Sequence, residues 1–318
     1  MSNPDFDFDD TRQWAIQQWG AASLGDKRRT RRAVQLGEAI ANQPSASLPT
    51  QAQSWGELKA AYRLLQEEDV THSQLSRPHW EQTRQQSQNS GAEVVLHIQD
   101  TTELDYTRRK RTSGLGRIGD DKGRGLLVHS CLAVIESSET PKMLGVAMQR
   151  VWTRPAQPLI GNETRTQRAA RAKESDVWAE VVEEIGPAPV NGPQFVSIGD
   201  RASDIFSYVR RARSIAWQVL LRVTQNRVIK RVDGERDKLL DYARRLPVRA
   251  TKQVELRGRD GKPRAQGGVS SFIQRNSTVR STDRAGAQAA ADQGLGCSML
   301  GGSRQGCRSN RMGLVHDF

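Results

Sequence analysis

Val94-Val95-Leu96-His97-Ile98-Gln99-Asp100-Thr101-Thr102 is the stretch that decides the fold, because it has the pattern of a buried β-strand ending on a carboxylate. The same design returns at Phe195-Val196-Ser197-Ile198-Gly199-Asp200-Arg201. Each aspartate directly follows an apolar run, at the point where a sheet ends and a cleft can open. The two stretches therefore predict an α/β protein with a carboxylate at each of two strand ends.

The segments around these stretches alternate between strand-like and helix-like patterns. Apolar runs predict strands at 94–101, 126–136, 143–153, 195–200 and 217–223, and spaced apolar residues predict helices at 173–185 and 203–213. This order predicts a mixed α/β sheet over residues 91–264. His97 and His129 fall in apolar strand patterns, so we expect sheet histidines there rather than metal ligands.

Residues 1–90 have a helical pattern instead. Asp26 is placed to cap a helix that runs to Ile40, and Ser54-Trp55-Gly56-Glu57 has the capping-box pattern. Either Thr71 or Ser73 is placed to cap a third helix. The second helix has four apolar residues at core-facing spacing: Leu58, Ala61, Tyr62 and Leu65. We therefore predict a helical domain over residues 1–90.

The first of these helices begins with a dense basic cluster: Lys27, Arg28, Arg29, Arg31 and Arg32. Such a cluster grips phosphates, and each contact adds to a salt-sensitive affinity for DNA. A solvated helix face would have the same composition, but five basic residues in six positions favour DNA.

The overall composition also favours a nucleic-acid partner. The chain has 318 residues, a formal net charge of +12 and a pI near 10.1, which favours a polyanionic partner such as DNA or RNA. Three cysteines without a CxxC pair argue against a disulfide framework or a zinc ribbon. The start is acidic, and no apolar run approaches the ~20 residues that span a bilayer. We expect a cytoplasmic, nucleoid-associated protein with no membrane partner.

The last part of the chain differs from the rest. Residues 227–264 carry many charges of both signs and predict a basic helix and hairpin region, whereas residues 265–318 contain no Lys and no Glu. These last residues show no sustained period, which predicts disorder. A flexible natural tail is one interpretation, and translation in a shifted reading frame is the other. The abrupt change in composition favours the shifted frame.

Two carboxylates in a basic chain suggest phosphoryl transfer at a nucleic-acid backbone. That chemistry uses Mg²⁺ or Mn²⁺ ions held by carboxylates, for which Asp100 and Asp200 are the candidates. A single strand-end aspartate more often caps a turn or a helix, but two at matching strand ends make metal binding about as plausible.

Further basic residues are candidates for DNA contacts. Arg201 follows the second aspartate, where it would neutralise a phosphate or balance the local charge. Lys122 and Arg124 lie in a glycine-rich loop at 114–125, which is either a hairpin that touches DNA or a bare connection. The loop has no GK[ST] sequence and is therefore no P-loop.

Five blocks, in order, resemble the DDE transposases of bacterial insertion sequences, in the insertion-sequence-four group that contains the transposon-five enzyme. The blocks are Leu24-Gly25-Asp26-Lys27-Arg28-Arg29-Thr30, Ala60-Ala61-Tyr62-Arg63, Ile98-Gln99-Asp100-Thr101-Thr102, Asp121-Lys122-Gly123-Arg124-Gly125 with Val128-His129-Ser130, and Gly199-Asp200-Arg201-Ala202-Ser203-Asp204-Ile205. They extend from about residue 12 to about residue 230.

The resemblance implies an RNase H-like catalytic sheet behind a helical domain that binds transposon ends. It implies that Asp100 and Asp200 match the first two metal-binding carboxylates, which hold two Mg²⁺ (or Mn²⁺) ions in an intact member. Arg222 matches a position that faces DNA phosphate. The implied activity is cut-and-paste transposition, with hydrolysis at the terminal repeats and strand transfer into target DNA within a dimer.

The departure from the family is equally informative. The family takes its third carboxylate from a Tyr-x2-Arg-x3-Glu helix, but Tyr208-x2-Arg211 is followed there by Ile215 and Tyr242-x2-Arg245 by Arg249. The sequence therefore predicts an incomplete catalytic domain, truncated by a frameshift, with little or no transposase activity.

Two alternatives remain at this point. One is a non-catalytic transposon-end DNA-binding protein, which would inhibit the full-length transposase, for instance as a heterodimer. The other is a metal-dependent nuclease with the same sheet, which would need a third acid such as Glu174 or Asp204.

Overall fold

The computed structural model describes residues 8–120, 122–136, 140–154, 173–231, 233–247, 250–257, 263–272, 280–281, 298–301 and 313–316, with side chains between residues 11 and 247. The chain divides into two compact units: Met1–Ala92 with Thr101–Gly161, and Glu93–Asp100 with Asn162–Phe318. The predicted domain bounds of 1–90, 91–264 and 265–318 stay predictions. In the described ranges, no helix has the length and apolar character needed to cross a membrane.

The first unit begins with five helices: α1 (Phe8–Trp19), α2 (Lys27–Asn42), α3 (Leu48–Gln51), α4 (Trp55–Gln66) and α5 (His72–Gln88). The predicted caps of three of them are confirmed. Asp26 Oδ1 accepts the Arg28 N–H at 2.7 Å, and Ser54 Oγ accepts the Glu57 N–H at 3.3 Å. Thr71, rather than Ser73, caps α5 in a full capping box with Gln74. These caps satisfy amide groups that a helix end leaves unpaired.

The buried face of α4 differs from the predicted one. Leu58 and Ala61 are buried as predicted, but Tyr62 and Leu65 are 43% and 52% exposed. Leu64 is buried instead, in a cluster formed by Ala22, Leu24, Ala33 and Leu64. The prediction for Tyr62 and Leu65 was wrong. Apolar character alone does not decide which face of α4 is buried, because the packing of Leu64 against this cluster turns a different face inward.

The first unit also contains the antiparallel strands β2 (Gly116–Ile118), β3 (Gly123–Ile135) and β4 (Lys142–Trp152). Helix α5 packs on β4, where His79 Nε2 accepts the Val146 N–H at 3.0 Å. The N–H of Val146 is thus satisfied by a side chain at a point where the β3–β4 register shifts. Strands β3 and β4 confirm the strands predicted at 126–136 and 143–153.

The second unit contains a parallel core. Strand β1 (Val94–Asp105) pairs through its first half with β5 (Gln194–Gly199), and β5 pairs with β6 (Gln218–Arg222), both in parallel. Helix α6 (Val177–Ile185) precedes β5, and α7 (Phe206–Ser214) connects β5 to β6. Parallel neighbours need such a crossover connection. The predicted elements of this region are confirmed, with β1 longer than expected.

An aromatic cluster fills one side of this parallel core. The ring centroid of His97 lies 4.6 Å from that of Phe195 and 4.5 Å from that of Trp217, and all three side chains are buried. Burial lowers the pKa of His97 to about 3. His97 is therefore neutral near pH 7 and serves as a core residue, as the sequence predicted.

The remaining elements follow β6. Strands β7 (Val228–Lys230) and β8 (Arg236–Lys238) form an antiparallel hairpin, and α8 (Leu239–Arg245) follows it. The prediction of a helix and hairpin here is confirmed. Five further strands are β9 (Ala250–Arg257), β10 (Pro263–Phe272), β11 (Arg280–Ser281), β12 (Ser298–Gly301) and β13 (Gly313–His316). Strand β13 is antiparallel to β6, so the sheet is mixed, and the α/β class is confirmed.

The prediction of disorder over residues 265–318 falls mostly outside the described residues. Between β10 and β13 only short strands are described, and the segments that separate them are not. That prediction, and the shifted reading frame, stay predictions.

Candidate functional site

The register of the parallel strands brings the two predicted carboxylates into one row. Ile98 pairs with Ile198, and Ile198 pairs with Leu220. Two residues further along each strand stand Asp100, Asp200 and Arg222. Because neighbouring strands lie about 4.8 Å apart and matched positions point to the same face, these three residues occupy adjacent positions at one edge of the sheet. Asp100 and Asp200 are both exposed.

Asp200 also caps the turn that follows it. Its Oδ1 accepts the Ala202 N–H at 2.8 Å, at the start of a 3₁₀ turn over Arg201–Ser203. Ser203 Oγ donates to the Asp200 carbonyl at 2.6 Å. The capping role that the sequence left open is thus present, and it holds this carboxylate in a defined orientation at the strand end.

Arg222 lies at the end of β6, beside the position of Asp200. Its side chain is half-buried, and within the described part of the chain its Nε has no hydrogen-bond partner. A buried guanidinium donor left without an acceptor is costly, and an anionic oxygen would satisfy it. Arg201, one residue after Asp200, is exposed in the 3₁₀ turn. Both positions suit a phosphate next to the carboxylates.

A buried polar cluster lies on the other face of the same strands. Gln99 Nε2 donates to Ser197 Oγ at 2.7 Å and to Tyr208 Oη at 3.2 Å, and Tyr208 Oη donates to Ser197 Oγ at 2.7 Å. These bonds join β1, β5 and α7 directly behind the two aspartates. The sequence alone did not indicate this cluster, although Gln99 and Ser197 are polar residues inside apolar strand runs. The cluster fixes the relative positions of the two strand ends.

Asp204 has a structural role that occupies its carboxylate. Its side chain is 5% exposed and pairs with Arg227. Its Oδ2 accepts the N–H of Thr224 at 2.7 Å and of Gln225 at 2.8 Å. These contacts fold the chain that follows β6. The carboxylate proposed as a third acid in the nuclease alternative is therefore already bound by protein donors.

The donor set at the strand ends suits one kind of metal. Mg²⁺ in proteins is held by one or two carboxylates, together with water and substrate phosphates, so Asp100 and Asp200 fit it. Across the described residues, no group of three or more His, Cys, Asp or Glu side chains is arranged to hold a metal ion.

In the first unit, Glu103 organises the glycine-rich loop. Its two carboxylate oxygens accept the Gly119 N–H at 3.0 and 2.9 Å, and Oε1 pairs with Arg154 at 3.0 Å. Lys122 pairs with Asp120 at 3.1 Å, and the Arg124 side chain donates to the Thr112 carbonyl at 3.2 Å. Both cations remain exposed, and Arg124 lies in the turn-proximal part of β3, which begins at Gly123.

His129 lies inside β3 and is fully buried. Its Nδ1 is 2.7 Å from Thr101 Oγ1, in a hydrogen bond, and burial lowers its pKa to about 4. The prediction of a sheet histidine is confirmed.

The basic cluster of α2 separates into two kinds of residue. Lys27, Arg28 and Arg31 are exposed, and Arg32 is half-buried. Arg29 instead pairs with Glu67 and, at 3.5 Å, with Asp69, and it donates to the Leu24 carbonyl. Arg29 therefore connects the first turn of α2 to the end of α4, while its neighbours face solvent.

The helical segment matches a known protein family. Residues 11–70 match the family model described as "Transposase DNA-binding", which supports a transposase and a DNA partner for this chain. The match covers about a fifth of the sequence and names no group within the transposases.

One similar solved structure is the cryo-EM structure of a piggyBac transposase synaptic complex with hairpin DNA. The identity is 10% and the TM-score 0.38. The similarity covers 99% of this chain and 54% of that chain, so the chain spans about half the length of that transposase.

Proposed function

We propose that this chain is a DDE transposase of the transposon-five group, which binds the terminal repeats of an insertion sequence and acts on the DNA there. The observation that carries the proposal is the match of residues 11–70 to the transposase DNA-binding family. The row of Asp100, Asp200 and Arg222 supports the catalytic part. The proposed location is the bacterial cytoplasm, on the nucleoid.

The helical segment binds the DNA. Lys27, Arg28 and Arg31 are exposed on one side of α2, and the chain has a net charge of +12. Each cation that neutralises a phosphate releases a counterion, so the affinity falls with salt concentration. Lys122 and Arg124 add two further exposed charges on the glycine-rich loop.

The strand-end row performs the chemistry. Asp100 and Asp200 would hold Mg²⁺ or Mn²⁺, and such an ion would supply Lewis-acid activation of the attacking oxygen and stabilisation of the leaving oxygen. Arg222 and Arg201 donate to phosphate oxygens beside the carboxylates. The cluster of Gln99, Ser197 and Tyr208 keeps the two strand ends in register, so that both carboxylates face the same phosphate.

The expected rate is low, because two carboxylates would hold a pair of ions weakly. The family's third acid has no equivalent in this sequence at a Tyr-x2-Arg-x3-Glu position, and Asp204 is committed to the turn after β6. The RNase H-like character of the sheet, and the dimer in which such enzymes act, belong to the same proposal.

A second candidate function is binding without catalysis. The family match and the exposed cations of α2 both lie in the helical segment, which needs neither aspartate to hold DNA. In this role the chain occupies transposon ends and inhibits the full-length enzyme, alone or as a heterodimer with it.

The test compares the full chain with Asp100→Asn and Asp200→Asn on duplexes taken from the DNA that flanks its gene. A transposase nicks or joins these duplexes with Mg²⁺ or Mn²⁺, and each variant loses this activity but keeps its DNA affinity. Binding without any cleavage that depends on the aspartates would favour the second candidate. Failure of the unaltered chain to bind duplex DNA would refute both.

A further inference from the structure

One face of α4 is turned to solvent although it carries large aromatic side chains. Trp55 is 73% exposed and Tyr62 is 43% exposed, and Lys59 and Arg63 beside them are also exposed. At 100° per residue these four positions fall within one side of the helix. We call them the α4 face.

The α4 face makes no polar contact within the part of the chain that the structure describes. None of its four side chains forms a hydrogen bond or an ion pair with a described residue. Its two cations stand four positions apart, where like charges repel each other on a helix. Glu57, the only acidic residue of α4, bonds to the Gln53 N–H at 2.9 Å instead. An anionic partner would relieve the repulsion, and the aromatic surface beside the cations would add contact area.

The segment in which this face lies limits the kinds of partner that it could bind. Arg29 joins the first turn of α2 to Glu67 and Asp69, which directly follow α4. The end of α4 that carries Arg63 therefore lies beside the turn of α2 that carries Lys27 and Arg28. Both exposed cationic surfaces lie within the segment that matches transposase DNA-binding domains.

We infer that the α4 face is a second contact surface for duplex DNA, in addition to the cationic turn of α2. Lys59 and Arg63 bind phosphates, and the rings of Trp55 and Tyr62 pack against the sugars or bases. The inference rests on the proposed DNA-binding function and assigns it residues that the basic cluster does not include. It also accounts for a tryptophan at the first position of a helix, where nothing in the described chain covers it.

The test measures the affinity of the full chain for mixed-sequence duplex DNA over a range of salt concentrations. Trp55→Ala should weaken binding about tenfold, the scale expected when one exposed ring is no longer buried on binding, with an unchanged salt slope. Trp55→Phe should keep most of the affinity. Lys59→Gln and Arg63→Gln should each reduce the salt slope by about one. Matched controls are Met143→Ala and Lys142→Gln, an exposed apolar residue and an exposed cation at the start of β4, which should change neither quantity.

Three outcomes would overturn the inference. If Lys27→Gln and Arg28→Gln weaken binding while the α4 variants do not, this inference fails and the proposed function stands. If Trp55→Ala leaves DNA affinity intact but changes the oligomeric state in sedimentation, the face binds protein. If the unaltered chain does not bind duplex DNA, the proposed function fails together with the inference.

Discussion

The helical segment and the strand-end region use their polar residues in opposite ways. In α2 and α4, the cations Lys27, Arg28, Lys59 and Arg63 are exposed, whereas Arg29 is paired with the carboxylates Glu67 and Asp69 that follow α4. Around β5, by contrast, Ser197 and Tyr208 bond to other buried groups, and Asp204 is enclosed by donors. A surface that attracts phosphate can be built from free charges, whereas two carboxylates hold a metal only when the chain behind them is fixed.

Asp204→Ala should have the largest effect, and it tests the strand-end side of this comparison. The substitution leaves Arg227, which is 21% exposed, without its carboxylate and frees two backbone N–H groups. Removing one partner of a buried pair costs about 3–5 kcal/mol. Urea unfolding at neutral pH measures the loss. Asp69→Ala, at a carboxylate that is 79% exposed, is the control and should change little.

Tyr208→Phe should be next in size. The hydroxyl that it removes donates to Ser197 and accepts from Gln99. A buried group that loses such a partner costs about 1–2 kcal/mol. The variant should also lower any metal-dependent cleavage while leaving DNA affinity unchanged, because it alters the support of the carboxylates and not the cationic surface. Ser207→Ala, on an exposed neighbour, is the control. Equal stability of Tyr208→Phe and the unaltered chain would show that the cluster does not fix the strand ends.

Acid should weaken the second unit through His97. Its pKa in the folded chain is about 3, below the value of about 6.5 expected when the chain unfolds. The stability that the neutral ring contributes is therefore complete above pH 6.5 and is lost as the pH falls toward 3. Between pH 7 and 5.5 the loss is about 1 kcal/mol. Urea unfolding of the unaltered chain and of His97→Phe at both pH values measures it. An equal loss in the variant would assign the effect to other groups.

The smallest stability effect distinguishes Arg29 from Arg28. Arg29→Gln should lower the free energy of unfolding by at most about 1 kcal/mol, since its carboxylate partners are partly exposed, and should leave the salt slope of DNA binding unchanged. Arg28→Gln should leave stability unchanged and reduce the salt slope by about one. A reversal of the two results would mean that Arg29 leaves its carboxylates and binds DNA.

Most elements of the fold could be predicted from the sequence, because their signals are local. The caps at Asp26, Ser54 and Thr71 depend on hydrogen bonds that span two or three residues. The strands at Val94 and Gln194 follow from apolar runs. The inward face of α4 could not be predicted in the same way. Tyr62 and Leu65 satisfy the spacing, but the contact of Leu64 with the α2 side decides which face is buried.

The sequence indicated the two aspartates of the candidate site, but not the buried side chains that hold the strand ends behind them. Asp100 and Asp200 stand out because each follows an apolar run. The roles of Gln99, Ser197 and Tyr208 could not be read from the sequence, since a polar residue in a strand looks the same with or without buried partners. For the same reason the sequence offered Asp204 as a metal ligand, whereas donors from Thr224 to Arg227 enclose it.

The sequence by itself determined where helices begin, where strands end on carboxylates, and that the chain carries a positive charge suited to DNA. These properties depend on neighbours a few positions away or on composition. Only the tertiary structure decided that Asp100 and Asp200 stand side by side, that Arg29 is bound while Arg28 is free of α4, and that Trp55 faces solvent. Those facts depend on contacts between residues that are distant in sequence, and local hydrogen bonding does not specify such contacts.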